Sequence, residues 1–146
     1  VGEKDFAKAM FEPFGLDLIF AKVAIKPGKP VWLGHARDRL VMGLPGNPTS
    51  AMVTARLLLA SLLAGLAGSP IESALRWQSM PLASALKENG PRETFHRARP
   101  VDAGAEILSF QDSSAQKALA DADLLVRQRA NAAALSPGDL VDVLDF

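Results

Sequence analysis

The sequence predicts an α/β unit followed by a small β-rich unit. Three short apolar runs precede one long Ala/Leu-rich run, which is the order of strands and a helix in an α/β fold. After Pro70 the chain contains only short strand-like runs separated by turn residues, which is typical of a small β domain. We therefore divide the chain into residues 1–70 and 71–146.

Composition indicates a globular protein without a whole-surface charge. The chain has 146 residues, of which 49% are hydrophobic and 22% charged. Sixteen basic and sixteen acidic residues give a net charge of zero. This balance argues against a nucleic-acid partner or an anionic membrane surface, but it leaves room for a local basic pocket.

The residue counts exclude several kinds of site. There are no cysteines and only two histidines, so disulfides, thiolate chemistry and a multi-histidine zinc site are not expected. The apolar stretch Leu57–Ala67 is too short to span a bilayer, and no leader sequence is recognisable, which favours a cytoplasmic protein. Because the chain starts at Val1 without an initiator methionine, we expect it to be a piece of a longer protein.

The first unit has readable element boundaries. Asp5–Phe14 has the apolar spacing of a helix, with Gly15 as its left-handed stop, and Leu18–Ile25 reads as a mostly buried strand. Val31–Leu33 and Leu40–Leu44 predict a strand pair. Asn47 and Pro48 then suit the N-cap and first position of a mostly buried helix that runs to about Ala67.

The second unit reads as five short strands, with one helix possible at Ser113–Ala122. The strand-like runs are Leu75–Leu82, Thr94–Val101, Glu106–Phe110, Leu124–Arg129 and Leu140–Leu144.

The loop Ile25–Pro30, with the sequence IKPGKP, is a candidate anion site. Pro27 and Gly28 permit a tight bend that would bring the ammonium groups of Lys26 and Lys29 together at one opening of the surface. Two converging ammonium groups bind phosphate-like anions as point charges. A solvated turn whose lysines only maintain solubility is an equally good interpretation of this pattern alone.

The loop Gly43–Ser50, with the sequence GLPGNPTS, leads from a strand into the long helix. Free N–H groups in the first turn of a helix, together with the helix dipole, make an anion site. Plain capping by Asn47 is the alternative. Neither a Walker pattern nor a GxGxxG pattern occurs in the chain, so the usual nucleotide folds are not indicated.

Three further groups are weaker candidates. Asp5 could cap the first helix or hold a divalent cation beside a bound phosphate. In the segment PRETFHRAR, strand alternation would put Arg97 on the face opposite His96, where a guanidinium could reach an oxyanion, although an exposed cationic strand is more common. The polar stretch at Gln111 could cap a helix or supply hydroxyl groups.

Five ordered motifs resemble one family. VGEKDF, AIKPGKP, GLPGNPTSA, PRETFHR and QDSS are similar to the C-terminal half of the molybdopterin molybdenumtransferases, the MoeA and gephyrin E-domain family. The resemblance implies a partial three-layer α/β molybdopterin-binding domain followed by a small β-rich domain. It further implies a homodimeric enzyme that inserts molybdate into adenylylated molybdopterin, releases AMP and uses Mg²⁺. The molybdopterin adenylyltransferase would be its partner protein.

The resemblance also implies roles for individual residues. Lys26, Lys29 and Asp5 would be catalytic, with Asp5 on the metal and nucleotide side. Either Arg92 or Arg97 would be the arginine near molybdate, and either Ser113 or Ser114 its partner serine. The remaining substrate-binding positions would lie in the two loops: Pro30, Pro45, Gly46, Asn47, Pro48 and Ser50.

Two other functions remain open at this stage. A chain without the family's upstream domains could be a non-catalytic anion-binding or scaffold module, since relatives of this family cluster membrane receptors. It could also be an anion-binding α/β fragment of unrelated function.

Overall fold

The computed structural model describes residues 6–109, 111 and 119–146. They form two β-sheets and one long helix, which agrees with the predicted combination of an α/β portion and a β-rich portion. The strands are β1 (Asp17–Phe20), β2 (Ile25–Lys26), β3 (Trp32–Ala36), β4 (Arg39–Gly43), β5 (Gln78–Pro81), β6 (Glu93–Val101), β7 (Gly104–Ile107), β8 (Leu124–Gln128) and β9 (Leu140–Asp145).

The first sheet has the strand order β1-β3-β4 and is antiparallel throughout. The predicted strand pair is present, but it is longer than expected, because the turn is confined to Arg37 and Asp38. Arg37 has a positive φ of 55°, the backbone geometry of a tight hairpin turn. His35 and Arg39 therefore belong to the strands rather than to the turn.

The second sheet has the order β2-β6-β8-β9-β5, with β7 also paired to β6. Its first member, β2, comes from the N-terminal part of the chain and runs parallel to β6, with Ile25 opposite Glu93 and Lys26 opposite Thr94. The other pairings of this sheet are antiparallel. The loop that contains Lys26 is thus fixed to a strand of the C-terminal portion.

One helix, α1 (Pro48–Leu66), follows the first sheet, and its central segment Ala55–Leu59 has π-helical hydrogen bonding. It begins where the sequence predicts, with Asn47 as N-cap and Pro48 at its first position. The expectation that it is mostly buried is wrong. One face, with Val53 and Leu57, enters the core, whereas Leu63 is 55% exposed.

By length and composition α1 is also apolar enough to cross a bilayer. Its contacts favour a packed helix instead. Val53 and Leu57 pack with Phe95 and Leu125 of the second sheet. In its centre, Arg56 donates hydrogen bonds to the backbone carbonyls of Asp145 and Ala74, at 2.7 Å each.

Two hydrophobic clusters lie on opposite faces of the second sheet. Val126 and Ala98 belong to the cluster under the segment around Leu82, and Leu125 and Phe95 belong to the cluster under α1. The alternation along β6 and β8 follows from the period of two in a strand.

The first predicted helix differs from the structure. The described part of the predicted helix Asp5–Phe14 consists of turns and a 3₁₀ segment, Glu12–Phe14, that ends at Gly15 in the left-handed conformation. Phe6 and Met10 are 64% and 66% exposed, so the predicted apolar face does not pack, and Pro13 interrupts a regular helix. The predicted helix Ser113–Ala122 lies mostly outside the described residues.

The predicted buried strand Leu18–Ile25 is wrong as a single element. It is divided between β1, whose residues Leu18 and Ile19 are exposed, and β2 in the other sheet. Continuous apolar character cannot show where a chain leaves one sheet and joins another, since both pieces satisfy it.

Candidate anion-binding cavity

A cavity of about 1100 Å³ lies at the β2 edge of the second sheet. Its wall combines the loop after β2, the first turn of α1, the segment Ser84–Gly90 and the strand residues Thr94–His96. Residues from both halves of the sequence therefore meet in one site.

The loop Lys26–Pro30 lines this cavity along its whole length. Pairing of β2 with β6 fixes its start, and two backbone hydrogen bonds close it: Val23 N–H donates to Lys29 O and Val31 N–H donates to Gly28 O, each at 3.1 Å. The Lys26–Pro27 peptide bond is cis. The bend predicted from Pro27 and Gly28 is present, and both lysines lie at the cavity wall.

Gly28 holds this loop against α1. Its φ is +118°, a conformation that side chains rarely adopt, and an added Cβ would lie 2.4 Å from Thr54 Cγ2. The Thr54 hydroxyl donates to the carbonyls of Ser50 and Ala51, at 2.8 and 3.1 Å. Thr54 therefore contacts both candidate loops.

The charge of the cavity wall is positive. Among the described residues, four cationic side chains line it, namely Lys26, Lys29, Lys87 and Arg92, against one carboxylate, Glu88. None of the four forms an ion pair within the described residues. Their charges are available to an anionic ligand, and both Lys26 and Lys29 are exposed at the cavity wall.

The loop Gly43–Ser50 contributes only Ser50 to the lining. Asn47 Oδ1 accepts a hydrogen bond from Ser50 N–H at 3.1 Å, so one of the free N–H groups is already used by the cap. Pro45 is buried, whereas Gly46 and Pro48 are exposed outside the cavity wall. At Gly43 an added Cβ would overlap the ring of Trp32 on the neighbouring strand, so this glycine serves packing.

The two arginine alternatives occupy different environments. Arg92 is exposed and lines the cavity. Arg97 is fully buried and lies outside the cavity lining. The expected exposed cationic strand is thus wrong for Arg97. The Gln111 amide accepts from Arg97 N–H and donates to Arg97 O, at 3.0 and 2.9 Å, and so fixes the backbone of β6 there.

His96 and Gln128 are cavity residues that sequence reasoning missed. His96 Nε2 lies 2.9 Å from Gln128 Oε1, and Gln128 Nε2 donates to Lys87 O at 2.7 Å. Burial lowers the pKa of His96 below its usual 6.5, the charges of Lys26 and Arg97 lower it further, and the hydrogen bond to Gln128 opposes them. Only the pairing of β2 with β6 brings Lys26 near His96, and no sequence pattern signals that pairing.

Three predicted site residues, Asp5, Ser113 and Ser114, lie outside the described residues. Within the part of the chain that is described, no cluster of three or more potential metal ligands occurs. Glu88 is the carboxylate among the described lining residues, and it is exposed. The described wall does not by itself fit Mg²⁺, which usually takes one or two carboxylates together with substrate oxygens.

Family models match both portions of the chain. Residues 1–74 match the model described as "Probable molybdopterin binding domain". Residues 79–146 match the model of the MoeA C-terminal region, domain IV.

Curated relatives carry a common name. The chain is similar to the molybdopterin molybdenumtransferase of Haemophilus influenzae, with 44% identity over 59% of this chain and 20% of the relative. It is similar to that of Synechococcus elongatus, with 38% identity over 79% of this chain and 28% of the relative. The chain thus spans less than a third of the length of these relatives.

A solved structure shows the same fold. The molybdopterin biosynthesis MoeA protein from Pyrococcus horikoshii aligns with 97% of this chain and 34% of its own length, with a TM-score of 0.78 and 26% identity. Together with the two family models, this similarity places the chain in the MoeA family, as its molybdopterin-binding portion followed by its C-terminal region.

Proposed function

We propose that the cavity is part of the active site of a molybdopterin molybdenumtransferase. The reaction would insert molybdate into adenylylated molybdopterin and release AMP. The observation that carries the proposal is the set of four cationic side chains in one wall, which form no ion pair with any described residue, in a chain whose relatives bear that name. Such charges suit a reaction in which one oxyanion displaces another.

Each residue would act through charge or position. Lys26 and Lys29 neutralise the approaching oxyanion, and Arg92 offers a guanidinium fork to a phosphate or molybdate group. Ser50 adds a hydroxyl donor beside the first turn of α1. Holding both anions within one wall lowers their mutual repulsion and orients them for displacement.

Other residues would act indirectly. Pro45, Gly46, Asn47 and Pro48 shape the start of α1 rather than contact the ligand, and buried Arg97 adds positive charge behind the wall. Asp5, with Ser113 or Ser114, would complete the ligand set. Mg²⁺ would supply charge neutralisation at the phosphate oxygens when bound with Asp5.

The proposal extends to the assembly. We place the division between the molybdopterin-binding domain and the C-terminal domain near residue 70. Exposed apolar side chains on α1, such as Met52, Leu63 and Leu66, support burial against further protein, as in a full-length homodimer. A cytoplasmic location and a molybdopterin adenylyltransferase as partner complete the proposed setting.

The direct test is molybdate binding to a double variant, Lys26→Ala with Lys29→Ala. Removing two charge-assisted contacts lowers the affinity about 100-fold or more, measured by isothermal titration calorimetry. The matched control is Lys22→Ala with Arg39→Ala, which removes the same charge from exposed positions outside the cavity. Equal affinity in the two double variants would contradict the assigned roles.

A further inference from the structure

A chain of hydrogen bonds fixes the tautomer of His96. The carbonyl oxygen of Lys87 can only accept, so the Gln128 atom facing it at 2.7 Å is the amide nitrogen. The amide oxygen of Gln128 then faces His96 Nε2 at 2.9 Å and accepts its proton. In the neutral ring, Nδ1 therefore carries the lone pair.

The surroundings favour that neutral ring. Burial is the largest cause that lowers the pKa of His96, and the positive charges of Lys26 on β2 and Arg97 on β6 act in the same direction. Gln128 on β8 is uncharged, and Lys87 on the covering segment adds another cation to the wall. Near neutral pH the imidazole is uncharged, and Nδ1 is a hydrogen-bond acceptor.

Apart from the exposed carboxylate of Glu88, the other polar side chains of the described wall can donate or are already engaged. Asn89 Nδ2 donates to backbone carbonyls, including those of Arg92 and Gln128, and Asn89 Oδ1 accepts from the Thr94 hydroxyl at 2.9 Å. The Gln111 amide is held by the backbone of Arg97. Within the described residues no hydrogen bond reaches His96 Nδ1, which leaves it as a partly buried acceptor among cations.

Lys26 and His96 share one face of the sheet. Lys26 is opposite Thr94 in the parallel pair, and His96 lies two residues farther along β6, so the three side chains project to the same side. An anion held by Lys26 consequently lies beside the imidazole.

We infer that His96 is a ligand-binding residue, whose Nδ1 accepts a hydrogen bond from an N–H or O–H group of the ligand whose anionic group Lys26 holds. The inference rests on the proposed function for the anion and adds a donor group next to it. The ligand class is thus an anion that carries a hydroxyl or a heterocyclic N–H, and a fully deprotonated oxyanion alone does not use His96.

The first experiment is ¹⁵N NMR of the imidazole rings. His96 and His35 are the only histidines, and His35 is exposed on the first sheet, so it is an internal control. Near neutral pH, His96 should be the Nε2–H tautomer. Added inorganic phosphate, which carries one or two O–H groups near neutral pH, should shift the Nδ1 resonance of His96 and not that of His35. An Nδ1–H tautomer, or no response while phosphate binds, would overturn the inference.

The second experiment compares two anions in His96→Phe and in His35→Phe. Losing one hydrogen bond lowers the affinity for phosphate about 3- to 10-fold in His96→Phe, and molybdate, which has no O–H group near neutral pH, binds as in the parent protein. His35→Phe should change neither affinity. Equal weakening of both anions by His96→Phe would show a structural role and overturn the inference.

The outcomes separate the inference from the proposed function. A parent protein that binds phosphate with the His96 response but ignores molybdate contradicts the molybdenum-inserting function and supports His96. A protein that binds molybdate and phosphate without any response of the His96 resonances supports the proposed function and contradicts the role of His96. The NMR measurement uses the parent protein, so the inference stays testable even when His96→Phe does not fold.

Discussion

The loops Ile25–Pro30 and Gly43–Ser50 are alike in composition and different in use. Both are rich in glycine and proline. The first contacts α1 through Gly28, and the second leads into the same helix. Residues 26–30 all line the cavity, whereas the second loop supplies only Ser50. In the second loop Asn47 caps the helix and Gly43 packs against Trp32. The difference teaches that the placement of charged residues, and not the spacing of glycine and proline, distinguishes the loop that lines the cavity from the loop that starts a helix.

The largest expected change in stability tests the packing of the first loop against α1. Gly28→Ala should lower the free energy of unfolding by about 2–4 kcal/mol, because the added Cβ meets Thr54 and the positive φ is strained. Denaturant unfolding measures the change. The matched control is Gly46→Ala in the second loop, where nothing lies within 4 Å of the added Cβ. A similar loss in both variants would remove the contrast between the loops.

A smaller effect tests the capping role of the second loop. Asn47→Ala should lower the free energy of unfolding by about 1 kcal/mol, since Ser50 N–H loses its acceptor. Molybdate affinity should stay within about twofold, because Asn47 lies outside the cavity lining. Asn47→Asp keeps an acceptor and serves as the control in calorimetry. A tenfold loss of affinity in Asn47→Ala would mean that this loop binds the ligand directly.

The next effect concerns the one residue of the second loop that does line the cavity. Ser50→Ala should weaken molybdate binding about 3- to 10-fold, the value of one hydrogen bond, and change stability little. Titration calorimetry at matched ionic strength detects this. Affinity unchanged from the parent would mean that the second loop makes no hydrogen bond to the ligand.

The smallest effect has the opposite sign. Thr49 is fully buried, and its hydroxyl has no hydrogen-bond partner among the described residues. Thr49→Val removes that polar atom at nearly constant volume and should raise the free energy of unfolding by up to about 1 kcal/mol. Thermal unfolding measures it. A destabilised variant would indicate that this hydroxyl has an acceptor in solution.

Local chemistry made part of this molecule predictable. Asn47 and Pro48 mark the start of α1 because a cap and a missing N–H act within one turn, and the C-terminal strands follow from runs bounded by turn residues. The left-handed Gly15 is another local feature that the sequence predicts correctly. Such signals depend only on residues that are close to one another in the sequence.

Long-range pairing made the rest unpredictable. The division of Leu18–Ile25 between two sheets depends on β6, which lies far along the chain. The same pairing puts His96 beside Lys26 and buries Arg97 on the other face. The position of Lys26 and Lys29 in one wall agrees with the local bend, but the roles of all the site residues remain predictions.

The two-residue strand β2 has a consequence for folding. It pairs with β6 across about 70 residues of intervening chain, and such distant contacts form slowly because loop closure precedes them. We therefore expect the cavity wall to be assembled late in folding. A ligand that binds only the completed wall would then stabilise the pairing of β2 with β6 in proportion to its concentration relative to its Kd.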